Sequence, residues 1–233
     1  MRIKIGLIFI ALGAVLILGA LSFFMYNQYE ANTAEAASAD LLPKLMAQIE
    51  QQSTAETDDS GEVMDSADEE AEDEEDGDLP EDYDPEETQP DESYAPMPTV
   101  KIDGYNYIGY LSIPDLNLEL PVMSTWSYPK LKKAPCRYVG SPEQDNLIIM
   151  AHNYPKHFGS LKDLYNGDRV YFVDMEGVTH EYQVSYKEVL QPTDVETLVT
   201  GDADLTLFTC TYGGKTRVVV YCQRVPSEEI KFF

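Results

Sequence analysis

Basic side chains, cysteines and histidines are all scarce in this sequence. The 233 residues contain 16 Lys and Arg against 42 Asp and Glu, so the formal net charge at pH 7 is -26. A chain this acidic cannot release counterions from a polyanion, which argues against nucleic acid as a partner. The three cysteines form no CxxC pair, which argues against a zinc knuckle and against a disulfide-dense scaffold.

The motifs of several enzyme classes are also missing. There is no GxSxG of a serine hydrolase and no HExxH of a zinc protease. Ser127 and Lys130 have SxxK spacing, but the proline between them disfavours the helix that would align them. The three histidines, His152, His157 and His180, are not at metal-ligand spacing. The sequence therefore predicts neither a metal nor a cofactor.

One long hydrophobic run lies near the N-terminus. Ile5–Met25 has no charged residue across 21 positions, and at a rise of about 1.5 Å per residue it can cross a hydrocarbon core of about 30 Å. Arg2 and Lys4 precede the run, so the positive-inside rule predicts a cytoplasmic N-terminus and an extracellular remainder. The alternative is a signal peptide cleaved near Ala34–Ala36, although the run exceeds a typical signal core. Both interpretations export the protein.

Composition divides the chain into an anchor over 1–29, a linker over 30–99 and a globular domain over 100–233. The linker begins with a helix-patterned patch, Ala39–Gln52, to which we assign no function. Glu56–Glu92 then holds 21 acidic residues and no Lys or Arg. Like charges repel and extend such a tract, so it is predicted to be a disordered, solvated spacer rather than an acidic ligand for calcium or a partner.

Short β-patterned runs fill the globular domain. The predicted strands are Tyr105–Ile113, Leu118–Met123, Asn146–Ala151, Arg169–Phe172, His180–Leu190, Leu205–Thr211 and Thr216–Val225. Only short helices fit between them, at Pro129–Ala134, Ser160–Tyr165 and Thr193–Val199, the last with Thr193 as its N-cap. The pattern predicts a mainly β domain, a mostly antiparallel barrel or sandwich. A doubly wound α/β fold is disfavoured because no glycine-rich turn leads into a long helix.

Three side chains at predicted strand ends are candidates for chemistry. Cys210 ends an apolar run, where its thiolate can act as a nucleophile if a nearby cation stabilises it. His152 lies at the end of another predicted strand. Arg217 begins a strand seven residues beyond Cys210, across a Gly-Gly turn that sets the two residues side by side. On position alone, a buried cysteine, a surface histidine and a solvated arginine are the ordinary alternatives.

Taken together, these residues resemble the sortase family, the membrane-anchored cysteine transpeptidases of Gram-positive bacteria. The resemblance rests on the TLFTC motif of Thr206–Cys210, on the histidine after Ala151 and on the downstream Arg-Val-Val-Val. It extends over Tyr107–Val225, and Ala151 departs from the glycine common in the family. It implies a closed β-barrel of about seven to eight strands with short helices, preceded by a single transmembrane helix and a disordered acidic linker.

The resemblance also implies a mechanism. Cys210 attacks the Thr–Gly bond of an LPXTG-like sorting signal and forms a thioester. His152 transfers the protons, and Arg217 binds the oxyanion or the backbone carbonyls of the peptide. The residues expected to contact the sorting peptide are Thr209, Ala151 and Thr211.

The implied partners are surface proteins that carry a sorting signal, an amine of a peptidoglycan precursor or a pilin as acceptor, and the membrane through the N-terminal helix. Two alternatives stay open at this point. One is a cysteine peptidase that hydrolyses without transfer. The other is a catalytically silent surface domain that binds peptides.

Overall fold

The computed structural model describes residues 2–55, 97–211 and 213–226. The α-helices in these ranges are α1 (Arg2–Ala55) and α2 (Tyr128–Leu131). The strands are β1 (Val100–Ile102), β2 (Tyr105–Ile113), β3 (Leu118–Met123), β4 (Cys136–Val139), β5 (Leu147–Ala151), β6 (Arg169–Asp174), β7 (Thr179–Leu190), β8 (Leu205–Cys210) and β9 (Arg217–Arg224). Short 3-10 helices occupy Pro114–Leu116, Pro142–Gln144, Phe158–Asp163 and Pro192–Thr200.

Eight strands close into a barrel. Hydrogen-bonded neighbours follow the order β2-β3-β4-β5-β8-β9-β7-β6, and β6 pairs back onto β2. Gly109 permits this closure, because a Cβ atom at this position would lie 2.0 Å from the carbonyl oxygen of Val173. β1 pairs with β2 outside the ring. The mainly β closed barrel expected from the sequence is confirmed.

The pairing is antiparallel except at two places. β3 and β4 form one parallel pair, Met123 with Cys136, and β5 runs parallel to β8 over five residues, from Leu147 to Ala151. The predicted bounds of β2 and β3 match the structure. β1 and β4 were not predicted, since runs of three and four residues are too short to show the alternation that identifies a strand.

Alternating side chains separate the interior of the barrel from its outer face. In β8, Leu205 and Leu207 belong to the main core, together with Val220 and Cys222 of β9. Phe208 instead packs in a separate outer cluster. Cys222 is thus a core residue, with 0% exposure. Cys210 is two positions after Phe208 on β8 and shares its face, so it also faces outward.

The short helices lie near their predicted positions, with one error at a cap. Ser127 caps α2, since its side chain accepts a hydrogen bond from the Lys130 amide at 3.3 Å. Thr193 is not the N-cap of the last 3-10 helix. That helix begins one residue earlier, at Pro192, with Gln191 at the cap and no side-chain cap bond. The Thr193 hydroxyl donates to Asp194 instead.

α1 is one helix that continues far beyond the apolar run. It is the only helix among the described residues that is long and apolar enough to cross a membrane, by length and composition. Large apolar side chains along this part are exposed, for example Leu16 at 66% and Phe23 at 67%. The predicted helix at Ala39–Gln52 is confirmed as part of α1. The acidic tract Glu56–Glu92 lies outside the described residues.

The second half of α1 packs against the barrel domain, which the sequence did not predict. The buried positions follow one face of the helix at spacings of three and four residues. They are Ala34, Ser38, Leu41, Leu45 and Ile49. Leu41, Leu45 and Ile49 form a cluster with residues of the barrel wall, among them Met123 and Cys136.

Candidate functional site

The three candidate residues lie at the ends of adjacent strands, in a region that we call the patch. Cys210 is the register partner of Arg217 in the antiparallel β8–β9 pair. Ala151 is the partner of Thr209 in the parallel β5–β8 pair. The next residues of these two segments, His152 and Cys210, are therefore level with each other. Neighbouring strands are about 4.8 Å apart. A histidine, a cysteine and an arginine are therefore neighbours in register at the ends of three adjacent strands.

Cys210 differs from the other two cysteines in its accessibility. All three are free thiols, but Cys136 and Cys222 are 0% exposed whereas Cys210 is half-buried. Burial raises the pKa of Cys222 to about 12 and that of Cys136 further still. Cys210 is thus the thiol that a substrate can reach.

His152 is held on a short, ordered loop. The amide of Phe158 donates to the His152 carbonyl at 3.1 Å, and the Tyr154 ring lies 5.0 Å from the imidazole, centroid to centroid. Burial lowers the pKa of His152, against a smaller raising effect of Glu30 and with a lowering effect of Lys132. Imidazole is then neutral at pH 7 and can accept a proton from a thiol.

Arg217 is anchored by its own turn. Its Nη1 donates to the carbonyl of Gly214 at 3.0 Å and to that of Thr216 at 3.2 Å. Gly213 and Gly214 supply the turn with positive φ angles of 83° and 71°, which favour glycine. The Thr211 hydroxyl lies 2.9 Å from that of Thr216 and helps to close the same turn. Peptide binding by Thr211 stays a prediction.

The Thr209 hydroxyl does not point to the surface. Thr209 is 4% exposed, and its Oγ1 donates to the carbonyl of Ala151 at 2.7 Å. This bond ties the residue before Cys210 to the residue before His152. The structure therefore supports a role for Thr209 and Ala151 in aligning the two strand ends, and direct contact with a peptide stays a prediction for both.

We expect Thr209→Val to lower both stability and kcat. Valine has a similar shape but leaves the buried Ala151 carbonyl without its donor, which costs about 1 to 3 kcal/mol. Urea denaturation and peptide cleavage measure the two effects. Thr209→Ser keeps the hydroxyl and serves as the control. A rise in KM at constant kcat and stability would instead favour contact with the substrate.

His157 does not line the patch. It is 0% exposed because α1 covers it, with Ser38 Oγ 3.4 Å from its Nε2. Burial lowers its pKa from 6.5 to about 4, with a further lowering effect of His152.

The buried, neutral His157 predicts a loss of stability in acid. The pKa of His157 in the folded state lies below its value in the unfolded state. Its contribution to the free energy of unfolding is therefore present above about pH 6.5 and is lost as the pH falls towards about 4. The loss amounts to about 3 kcal/mol. Denaturant titrations at pH 7 and pH 4.5 measure it, and His157→Gln should remove this part of the pH dependence. An unchanged pH dependence in His157→Gln would contradict the assignment.

The third histidine belongs to a separate network. His180, Asp174 and Glu143 form the group in the described ranges whose ligand atoms are close enough to hold a metal ion. However, His180 Nε2 lies 2.7 Å from Asp174 Oδ2 and its Nδ1 lies 3.1 Å from Arg224 Nη1. Both ring nitrogens are already engaged, so these contacts fit a structural polar network. Arg224 belongs to this network, and its hydrogen bonds within the described ranges do not include Cys210.

Glu30 is a site neighbour that sequence reasoning missed. It lies in α1, 3.5 Å from Lys132 between Oε1 and Nζ, and it raises the pKa of His152. Because Glu30 and His152 are far apart in the sequence, no local pattern could have revealed that they are neighbours.

The chain is similar to known proteins of one family. Residues 111–225 match the family model of the sortase domain. The sortase A of Bacillus anthracis is 29% identical over 128 residues, which cover 52% of this chain and 60% of that protein. The chain thus spans less than two thirds of that relative's length.

Solved sortase structures are also similar to the chain. Sortase A from Corynebacterium diphtheriae is 24% identical, with a TM-score of 0.49, over 55% of this chain and 64% of that one. Sortase C1 from Streptococcus suis is 30% identical, with a TM-score of 0.47, over 53% of this chain and 76% of that one.

Proposed function

The chain belongs to the sortase family, and we propose that it is a cysteine transpeptidase whose nucleophile is Cys210. The observation that carries this proposal is the shared patch. Cys210 and Arg217 are register partners, and His152 follows the strand that runs parallel to β8. An accessible thiol beside a proton acceptor and a fixed cation is the arrangement that acyl transfer requires.

The acylation step uses all three side chains. Neutral His152 takes the proton of the Cys210 thiol as Sγ attacks the carbonyl carbon of the sorting signal. The C–S bond forms and the C–N bond breaks, and His152 delivers the same proton to the departing amine. The product is a thioester on Cys210 together with the released tail.

The transfer step runs the same proton transfers in the opposite direction, from an amine through His152 to the sulfur. An incoming amine attacks the thioester carbonyl, His152 takes a proton from it, and the C–S bond breaks as that proton returns to the sulfur. Arg217 stabilises the oxyanion in both steps, since its guanidinium offers several fixed N–H donors and is always charged. Water in place of the amine gives slow hydrolysis.

The proposed substrates are surface proteins with an LPXTG-like sorting signal, and the acceptor is an amine of a peptidoglycan precursor or of a pilin. We place the domain outside the cell, behind a single membrane-spanning helix with a cytoplasmic N-terminus. The location rests on the apolar part of α1 and on the basic residues Arg2 and Lys4 before it.

A library of fluorogenic five-residue sorting signals tests the proposed activity. The full chain in detergent should cleave a related subset of the peptides. Addition of an amine should divert the product from acid to amide. Cleavage without amide formation would favour a plain cysteine hydrolase, and binding without cleavage would favour a silent peptide-binding domain.

A further inference from the structure

The second half of α1 forms an interface with the catalytic domain, which we call the docked segment (Glu30–Ile49). Its apolar face contributes Leu45, which is 0% exposed, and Leu41 and Ile49, each 7% exposed. Burial of three such side chains stabilises an interface by several kcal/mol, at about 1.5 to 3 kcal/mol each. The docked segment is therefore held by a continuous apolar seam.

Polar contacts fix the position of the docked segment along the domain. The buried Ser38 hydroxyl donates to the Lys133 carbonyl at 3.1 Å. Lys44 Nζ lies 3.0 Å from Asp103 Oδ2, and Lys156 Nζ lies 3.7 Å from Glu35 Oε1. The two exposed ion pairs add little energy. The buried hydroxyl adds specificity, because a shift of the helix would leave it without a partner.

The geometry of α1 also sets the height of the domain above the lipid. The apolar run ends at Met25, and the docked segment begins five residues later at Glu30, which is about 8 Å along a helix. Tyr26 and Tyr29 lie between them and are 55% and 70% exposed. Exposed tyrosines at this position are typical of the membrane–water interface.

The first half of the docked segment contacts two loops of the domain. Glu30 pairs with Lys132 of the loop after α2, and Ser38 contacts His157 of the loop that follows His152. At about 1.5 Å per residue, Glu30 and the Lys132 loop lie about 8 Å beyond the end of the apolar run, and Ser38 and His157 lie about 20 Å beyond it. The Lys132 loop therefore lies near the lipid headgroups when the apolar part of α1 spans the membrane. Glu30 and Lys132 both influence the pKa of His152, so the His152 end of the domain is the end nearer to the lipid.

We propose that the docked segment is a rigid strut that holds the catalytic domain on the membrane surface, with the His152 end towards the lipid headgroups. The proposal rests on the membrane location given under the proposed function. The acidic tract then does not set the distance between membrane and active site. The tract connects α1, which ends at Ala55, to β1. Both α1 and β1 pack on the same domain.

Two hypotheses predict opposite results when the acidic tract is cut. In one the docked segment holds the domain on the membrane, and in the other the acidic tract alone connects the domain to its anchor. A specific protease site introduced between positions 70 and 80 allows cleavage of the full chain in lipid vesicles. If the tract is the tether, the catalytic domain leaves the vesicles. If the docked segment is the strut, the cut domain still sediments with them.

Two substitutions in α1 give the matched comparison. Leu45→Asp buries a charge in the seam and should weaken docking about 100-fold, so that the cut domain is released. Ala47→Asp adds the same charge at an exposed position of the same helix, and its cut domain should stay. Near-UV circular dichroism of the released domain shows whether the barrel is intact, and sedimentation before cutting shows whether the anchor is inserted.

Release of the wild-type domain on cutting would overturn the proposal. Retention of the Leu45→Asp domain would overturn it as well, since a surface other than the docked segment would then hold the domain. Peptide cleavage is measured separately in each sample. A lack of peptide cleavage would count against the proposed transpeptidase activity. Whether the docked segment holds the domain on the membrane is decided by sedimentation alone.

Discussion

Cys210→Ala should abolish cleavage of sorting peptides while the protein stays folded. Alanine removes the atom that forms the thioester, and the remaining groups on the patch have no bond to make with the carbonyl carbon. We expect kcat/KM to fall by at least about 1000-fold. Chromatographic detection of the cleaved tail over long incubations measures a loss of this size.

Cys222→Ala is the matched control for this experiment. Cys222 is a thiol of the barrel core with 0% exposure, so its replacement creates a small cavity and costs about 1 kcal/mol of stability. Its cleavage rate should stay close to that of the wild type. Full activity in Cys210→Ala, or an equal loss in both folded variants, would contradict the assignment of the nucleophile.

Arg217→Lys should lower kcat about 100-fold with a small effect on KM, which is the loss typical of one oxyanion donor. Lysine keeps the charge but offers a single flexible ammonium group in place of a planar guanidinium. It also cannot reproduce the paired bonds of Nη1 to the carbonyls of Gly214 and Thr216. Steady-state kinetics on the best library peptide separate kcat from KM.

Arg224→Lys controls for a general need for arginine on β9. Arg224 contacts His180, Asp145 and Tyr182, away from Cys210. We expect a lower melting temperature and an unchanged kcat/KM. A loss of rate equal to that of Arg217→Lys would show that the effect is structural rather than catalytic.

The part of the fold that the sequence predicted is the part with strong local signals. β2 and β3 are β-rich, mainly apolar runs bounded by turn residues, and both were predicted with the bounds found in the structure. β4 spans only Cys136–Val139 and was missed. The Gly-Gly turn predicted that Cys210 and Arg217 lie side by side, and the register of β8 and β9 agrees.

The remaining features of the site depend on contacts between distant parts of the chain. His152 lies beside Cys210 because β5 runs parallel to β8, and Thr209 bonds to Ala151 across 58 positions. Periodicity describes which face a side chain takes, but it does not reveal which strands are neighbours. The docking of α1 escaped prediction for the same reason, since an apolar stripe such as that of Leu41 and Leu45 does not specify what covers it.

The central claim is that Cys210 carries the acyl group of a sorting signal. Mass spectrometry of the intact chain after incubation with a library peptide tests it most directly, followed by digestion to locate the adduct. We predict a mass increase equal to the acyl fragment on the segment that contains Cys210, lost on addition of an amine with formation of the matching amide. An unmodified Cys210 during active cleavage, or an adduct on another side chain, would contradict the account.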